Sequence, residues 1–165
     1  MGLRLIPRLL ERGHRITAVA RRSSEARRPQ GVEVVVDALD RSTWEARVRP
    51  FHTMVHLLGV AHPAPAMMAY LPVRAECEAA IRAANLNATI LRPWYVLGPG
   101  HWWPLALLPF YKIAEAIPAA AQGATRLGLV RLEEMIAALL EAVENPVAGM
   151  KIVDVPGIRA AAKPR

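Results

Sequence analysis

The stretch Leu91-Arg92-Pro93-Trp94-Tyr95-Val96-Leu97-Gly98-Pro99-Gly100 constrains the fold more than any other part of the chain. An apolar β-type run, Ala88 to Leu91, stops at Arg92-Pro93 and passes into a segment rich in Gly and Pro. Proline has no N–H to give to a sheet ladder, so a central strand ends where it enters. A strand that empties into such a loop has the form of one ending at a ligand crevice in an open α/β sheet.

The rest of the chain alternates helical and extended patterns. Leu3, Ile6, Leu9 and Leu10 line one helical face, with Gly13 as a C-terminal stop. Pro7 fits only if the helix starts close before it. Arg15 to Ala20 reads as a strand that ends in Arg21-Arg22. Ser23 to Gln30 is polar, and Val32 to Val36 is a second strand, apolar enough for a sheet buried on both faces. Ser42-Thr43-Trp44-Glu45 has the form of a capping box opening a short helix to about Arg49. Thr53 to Leu58 reads as a third strand, followed by Gly59 and a Pro/Ala loop from His62 to Ala66.

A helix comes next, with Val73, Cys77, Ala80, Ile81 and Ala84 on one face, and Asn85-Leu86-Asn87 ends it. Ala88 to Leu91 is the fourth strand. Residues 101–128 are irregular and rich in Trp and Pro. Leu132, Met135, Ile136, Leu139, Leu140 and Val143 form the cleanest helical stripe, stopped by Asn145-Pro146. Met150 to Val155 reads as the last strand. The expectation is an α/β fold with a mostly parallel sheet flanked by helices. It is a single domain over residues 1–165, with 101–128 as a small irregular lobe on the substrate side.

Composition narrows the partners. The net charge is +7 over 165 residues, from 21 Lys and Arg against 14 Asp and Glu. Arginine supplies nearly all of the positive charge. The excess reads either as compositional drift, since Ala and Pro rise with it, or as a site for an anionic ligand such as a nucleotide phosphate. No basic helix carries interleaved aromatics, so nucleic acid is not expected. The single cysteine, Cys77, excludes an internal disulfide and reads as a small buried hydrophobe. No signal peptide and no run of ~20 apolar residues is recognisable. A cytoplasmic protein without a membrane span is expected. His52, His56 and His62 do not build a metal site, because a four-residue step on a strand spans ~13 Å.

In order along the chain, several segments resemble the atypical or extended short-chain dehydrogenases/reductases, with their NAD(P)-binding NmrA-like and epimerase-like relatives. Leu9 to Arg22 resembles that family's first helix and second strand. Val34-Val35-Val36-Asp37-Ala38-Leu39-Asp40 resembles its third strand and the acidic loop beside the adenine. Val55-His56-Leu57-Leu58-Gly59 resembles its fourth strand. Tyr70-Leu71-Pro72-Val73-Arg74 stands where the family has Tyr-x-x-x-Lys, and Ile90 to Gly100 is similar to its Arg-Pro-x-x-Val-x-Gly-Pro-Gly segment. The resemblance implies a Rossmann-like domain. Against that pattern the opening strand, the Gly-rich phosphate loop and an internal segment with the catalytic Ser/Thr have no counterpart. The sheet is accordingly expected to be incomplete at its first strand.

The resemblance implies roles for particular residues. Tyr70 would be the acid/base, with Arg74 as its electrostatic partner four residues along the same helical face. Arginine does not deprotonate, so it stabilises charge without relaying a proton. Cofactor contacts would come from Gly2, Arg21, Arg22, Asp37, Ala38, Gly59, Pro93, Trp94 and Val96. Arginine after the second strand favours NADP over NAD through the 2′-phosphate. Against this stand plainer readings: a solvated Arg beside a helix-start Tyr, a basic turn, a strand-end Asp, and core packing for Trp94 and Val96. The functional expectation is an NADP- or NAD-dependent oxidoreductase acting on a small carbonyl or alcohol substrate. A catalytically inactive nucleotide-sensing or interaction module, or a truncated fragment of such an enzyme, is the alternative. A homo-oligomer is left open.

Overall fold

Among the described residues three pairs of parallel strands, each with helices beside them, carry the architecture, and the protein is α/β. The computed structural model describes residues 1–27, 29–36, 40–57, 65–93, 95–99 and 128–162. They fall into two compact units, Met1–Leu58 and Gly59–Arg165.

In the first unit, α1 (Gly2–Glu11) is followed by β1 (Thr17–Ala20), a 3₁₀ turn (Arg22–Arg27), β2 (Glu33–Val36) and α2 (Arg41–Val48). Leu5 and Leu9 are the buried residues of α1, one turn apart. Leu3, expected on the inner face, is 51% exposed. Successive residues differ by about 100° around a helix. Burying Leu5 and Leu9 therefore turns Leu3 outward. Pro7 lies inside the helix, where its ring forfeits the bond to the Leu3 carbonyl. Gly13 ends the segment at φ +80°, the left-handed conformation that glycine adopts without Cβ strain. β1 and β2 pair in register from Thr17 opposite Glu33 to Ala20 opposite Val36. Only Val35 of this pair is fully buried, so the expected burial on both faces is not reached in a sheet of two strands.

The capping of α2 departs from expectation. Asp40, not Ser42, is the N-cap, and its carboxylate accepts from the Ser42 N–H at 2.9 Å and the Ser42 hydroxyl at 2.7 Å. Glu45 turns away to Arg41, with two bonds of 2.8 Å. With Asp40 as the cap the helix starts two residues earlier, Ser42 lies inside its first turn, and the carboxylate takes both the N–H and the hydroxyl of Ser42. Residues 53–57, expected as a strand, are not extended in a ladder. Among the described residues no strand pairs with them, and Met54 and Leu57 are exposed. A strand conformation needs a neighbour to take its backbone groups.

The second unit begins with α3 (Pro65–Ala83), then β3 (Ala88–Leu91), β4 (Tyr95–Leu97), β5 (Leu129–Arg131), α4 (Leu132–Glu144), β6 (Met150–Val153) and α5 (Val155–Ala161). β3 pairs with β6 from Ala88 opposite Met150 to Leu91 opposite Val153. β4 pairs with β5 from Tyr95 opposite Leu129 to Leu97 opposite Arg131. The chain therefore re-enters extended structure only three residues after Arg92, where a loop is expected.

The core of this unit gathers on α4, whose Met135, Ile136, Leu139 and Leu140 are buried, as the stripe predicts. Helix α5 packs on α4 and β5, and Val130, Val155 and Ile158 are completely buried there. The last strand stops at Val153 because Asp154 caps α5, accepting from Gly157 N–H at 3.3 Å. On α3 the expected apolar face is turned out: Val73 is 54% exposed, and Cys77 is exposed as well. The side chains facing protein are those of Tyr70, Arg74, Glu78 and Ile81, a row at helical spacing one step round from the expected one.

Candidate functional site

The carboxyl end of β3 and helix α3 are tied together by one acidic side chain. Arg92 follows β3 directly, and its N–H continues the ladder to the Val153 carbonyl at 2.8 Å. That bond fixes the backbone, and the Arg92 guanidinium reaches the Glu78 carboxylate at 2.6 Å. Arg74 Nε donates to the other oxygen of Glu78 at 3.1 Å. Burial opposes ionisation of Glu78, but the hydrogen bonds and charges of Arg92 and Arg74 outweigh it. The carboxyl is held below the ordinary glutamate value. The Glu78 side chain is 12% exposed, Arg74 29% and Arg92 41%. The ion network thus runs from a protected carboxylate outward to solvent.

Arg74 Nη2 is buried and has no hydrogen-bond partner among the described residues. A guanidinium has five N–H donors in a fixed fork. With Nε held by Glu78, the orientation of that fork is set. Tyr70 lies one turn earlier on α3 and is half-buried.

The other expected residues distribute as follows. Pro93 follows Arg92 and is half-buried, and Val96 lies on β4 opposite Val130. Arg21 is exposed immediately after β1, and Arg22 is exposed at the start of the 3₁₀ turn. Gly2 is the first residue of α1, and a Cβ there would lie 3.6 Å from Leu57 Cδ1. Asp37, Ala38, Gly59 and Trp94, and residues 101–127 of the irregular lobe, lie outside the described residues. The structure therefore brings Arg74 to the strand end that carries Pro93.

Glu78 and Arg92, the residues that make this connection, are not among the site residues expected from the sequence. The signal for Glu78 was its four-residue spacing from Arg74 on a helix. Nothing in the sequence announced the Arg92 contact, which spans 14 positions. No three His, Cys, Asp or Glu side chains gather as metal ligands among the described residues. No described helix is long and apolar enough to cross a membrane.

The chain is similar to a protein named ceramide reductase from Caulobacter vibrioides (strain NA1000 / CB15N). The two are 29% identical over 86 residues, which is 52% of this chain and 27% of that protein. The matched stretch is thus little more than a quarter of the relative's own length. No family model and no solved structure matches the sequence.

Proposed function

We propose that this chain is an NAD(P)-binding, reductase-like protein that acts on a carbonyl or alcohol carbon. The observation that carries the reading is the Glu78 bridge, which holds the helix bearing Tyr70 and Arg74 at the carboxyl end of β3. Ligands of open α/β sheets collect at that end of the strands. The similarity to a protein named a reductase points to the same chemistry.

Arg21 and Arg22 support the cofactor reading. Arg21 and Arg22 are exposed just past the carboxyl end of β1, where two guanidinium forks suit a 2′-phosphate and favour NADP. Gly2, Asp37, Ala38, Gly59, Pro93, Trp94 and Val96 are the further proposed contacts. When bound, the nicotinamide supplies or accepts the hydride. Tyr70 holds and delivers the proton at the substrate oxygen. Arg74 stabilises the developing phenolate by charge and transfers no proton itself.

One observation favours a second reading, an inactive nucleotide-sensing module. The Arg74 Nε is committed to Glu78, which neutralises part of the charge that Tyr70 would use. Calorimetric titration with NADPH and NADH separates these readings from the rest. Binding in the micromolar range with NADPH tighter is the expected result, and no binding of either at millimolar concentration overturns both. Turnover of a carbonyl panel that is lost in Tyr70→Phe, with cofactor binding intact, selects the enzyme. Binding without any turnover selects the module.

A further inference from the structure

The Arg74 guanidinium has a donor that the proposed function does not use. Nε donates to Glu78 Oε1 at 3.1 Å, and Glu78 gives its second oxygen to Arg92 at 2.6 Å. The side-on pair that would use Nε and Nη2 together is therefore not formed. Nη2 is left buried and unmet among the described residues. A buried donor without an acceptor costs stability, more so when it is charged, and calls for a water, an ion or a ligand. The Arg74 side chain is 29% exposed, so solvent reaches the guanidinium beside that buried atom.

The end of the fork, Nη1 and Nη2, carries two parallel N–H groups, and these match the two oxygens of a carboxylate. A neutral acceptor would gain less there, because a hydrogen bond between two charged groups is about twice as strong as one between neutral groups. A dianion such as phosphate would meet stronger repulsion than a monoanion, since the Glu78 carboxylate stands on the same guanidinium. Tyr70 lies four residues before Arg74 on α3, a spacing that places side chains on one helical face. A small molecule that offers a carbonyl or hydroxyl oxygen to Tyr70 thus carries its carboxylate, a few bonds away, to Arg74.

We infer that the substrate is a small oxo or hydroxy acid, that Arg74 binds its carboxylate through the Nη1–Nη2 end of the guanidinium, and that Glu78 is the residue that positions the fork. The inference rests on the oxidoreductase reading and narrows its substrate to one bearing a carboxylate. In the reductive direction the carbonyl carbon receives a hydride from the reduced nicotinamide, which is oxidised. The carbonyl oxygen receives the Tyr70 proton, which solvent restores. The carboxylate stays on Arg74 unchanged.

Calorimetric titration of the full chain tests it. Binding of NADPH or NADH decides the underlying reading, and its absence overturns both. With the oxidised cofactor saturating, the protein is titrated with oxamate, an acid with a carbonyl beside its carboxylate, and with oxamide, its uncharged counterpart. Oxamate should bind about tenfold tighter than oxamide, the size of one charge-assisted hydrogen bond. Arg74→Gln should abolish the preference. Arg74→Lys, which keeps the charge but not the two parallel donors, should keep only part of it. Glu78→Gln makes the site more positive, yet should weaken oxamate several-fold because the fork is no longer held. Circular dichroism establishes that each variant is folded, and where Arg74→Gln is not, Arg74→Lys carries the test. In turnover, short oxo acids should exceed their methyl esters about tenfold in kcat/KM, and Arg74→Lys should raise KM for the acids more than it lowers kcat. Cofactor binding with oxamate no tighter than oxamide overturns the inference alone. So does a preference that survives Arg74→Gln. Tighter oxamate binding in Glu78→Gln overturns the positioning role and leaves charge as the determinant. Inorganic phosphate that binds tighter than oxamate and displaces it assigns Arg74 to a phosphate group, and that also overturns it.

Discussion

Arg92 Nη2 sits 2.6 Å from Glu78 Oε2, across 14 positions of sequence, and so connects the first residue after β3 to the middle of α3. Arg74 occupies the other oxygen of the same carboxylate. Two guanidinium groups thus share one largely buried carboxylate.

Replacing that carboxylate should cost stability in a pH-dependent way. Glu78→Gln is expected to lower stability at neutral pH by about 1–2 kcal/mol, the discount reflecting partly exposed arginine partners. The folded-state pKa of Glu78 is depressed. Its contribution is therefore complete above the ordinary glutamate value of about 4.3 and is lost as pH falls through the lower folded value. Urea unfolding of wild type and variant should show a constant gap from pH 7 to 5 that narrows below about pH 4. A gap unchanged at pH 3 would mean that charge plays no part.

Gly157 tests how closely α5 approaches β6. A Cβ at Gly157 would lie 2.7 Å from Val153 Cγ1. Gly→Ala in a helix ordinarily stabilises by about 0.5–1 kcal/mol, but the clash should reverse the sign here, to a net loss of about 1–2 kcal/mol. Val153→Ala in the same chain removes the obstructing methyl. The double variant should recover a large part of the loss, read as a coupling energy in a double-mutant cycle.

The packing of α5 has a separate measure in Ile158, which is completely buried. Ile158→Val should cost about 0.5–1.5 kcal/mol and Ile158→Ala about 2–5 kcal/mol, the transfer of the lost methylenes plus the cavity they leave. Denaturant midpoints with an unchanged slope would attribute the loss to the folded state.

At the entry to the β3–β6 pair, the Asn87 side-chain oxygen accepts from the Gly149 N–H at 2.7 Å, and Gly149 holds φ +74°. Both Gly149→Ala and Asn87→Ala should destabilise by about 1 kcal/mol, the first through left-handed backbone strain, the second through an unmet N–H. Hydrogen exchange of the Ala88 amide, which donates to the Gly149 carbonyl at 2.8 Å, should quicken in both.

Local signals that are strong and self-contained match the structure. The stripe Leu132 to Val143 gives α4, the run Ala88 to Leu91 gives β3, and Arg15 to Ala20 contains β1. Each has a pattern that the backbone can satisfy within a few residues. The misreadings share a cause. Thr53 to Leu58 has the composition of a strand but no described partner. Val73 and Cys77 have the spacing of a core face but stand on the solvent side of α3. Ser42-Thr43-Trp44-Glu45 has the form of a capping box, but Asp40 starts the helix two residues earlier and holds Ser42 by its N–H and hydroxyl. In each case the outcome rests on partners that the local pattern does not contain. Helix α5 was legible in principle, since Asp154 followed by Pro156 is an N-cap with proline in the first turn.

The sequence by itself determined the α/β alternation, the stopping of β3 at Arg92-Pro93, the position of Tyr70 and Arg74 one helical turn apart, and the arginine surplus of the first 58 residues. These depend on periodicity, on backbone chemistry and on counting charge. Only the tertiary structure decided which face of α3 meets protein, that Glu78 joins Arg74 to Arg92, and that the strands associate as three parallel pairs. The physical reason is that side-chain partners and strand neighbours lie far apart along the chain. A carboxylate chooses among several nearby cations by distance and burial, and a strand chooses its neighbour by which backbone groups the rest of the fold leaves open.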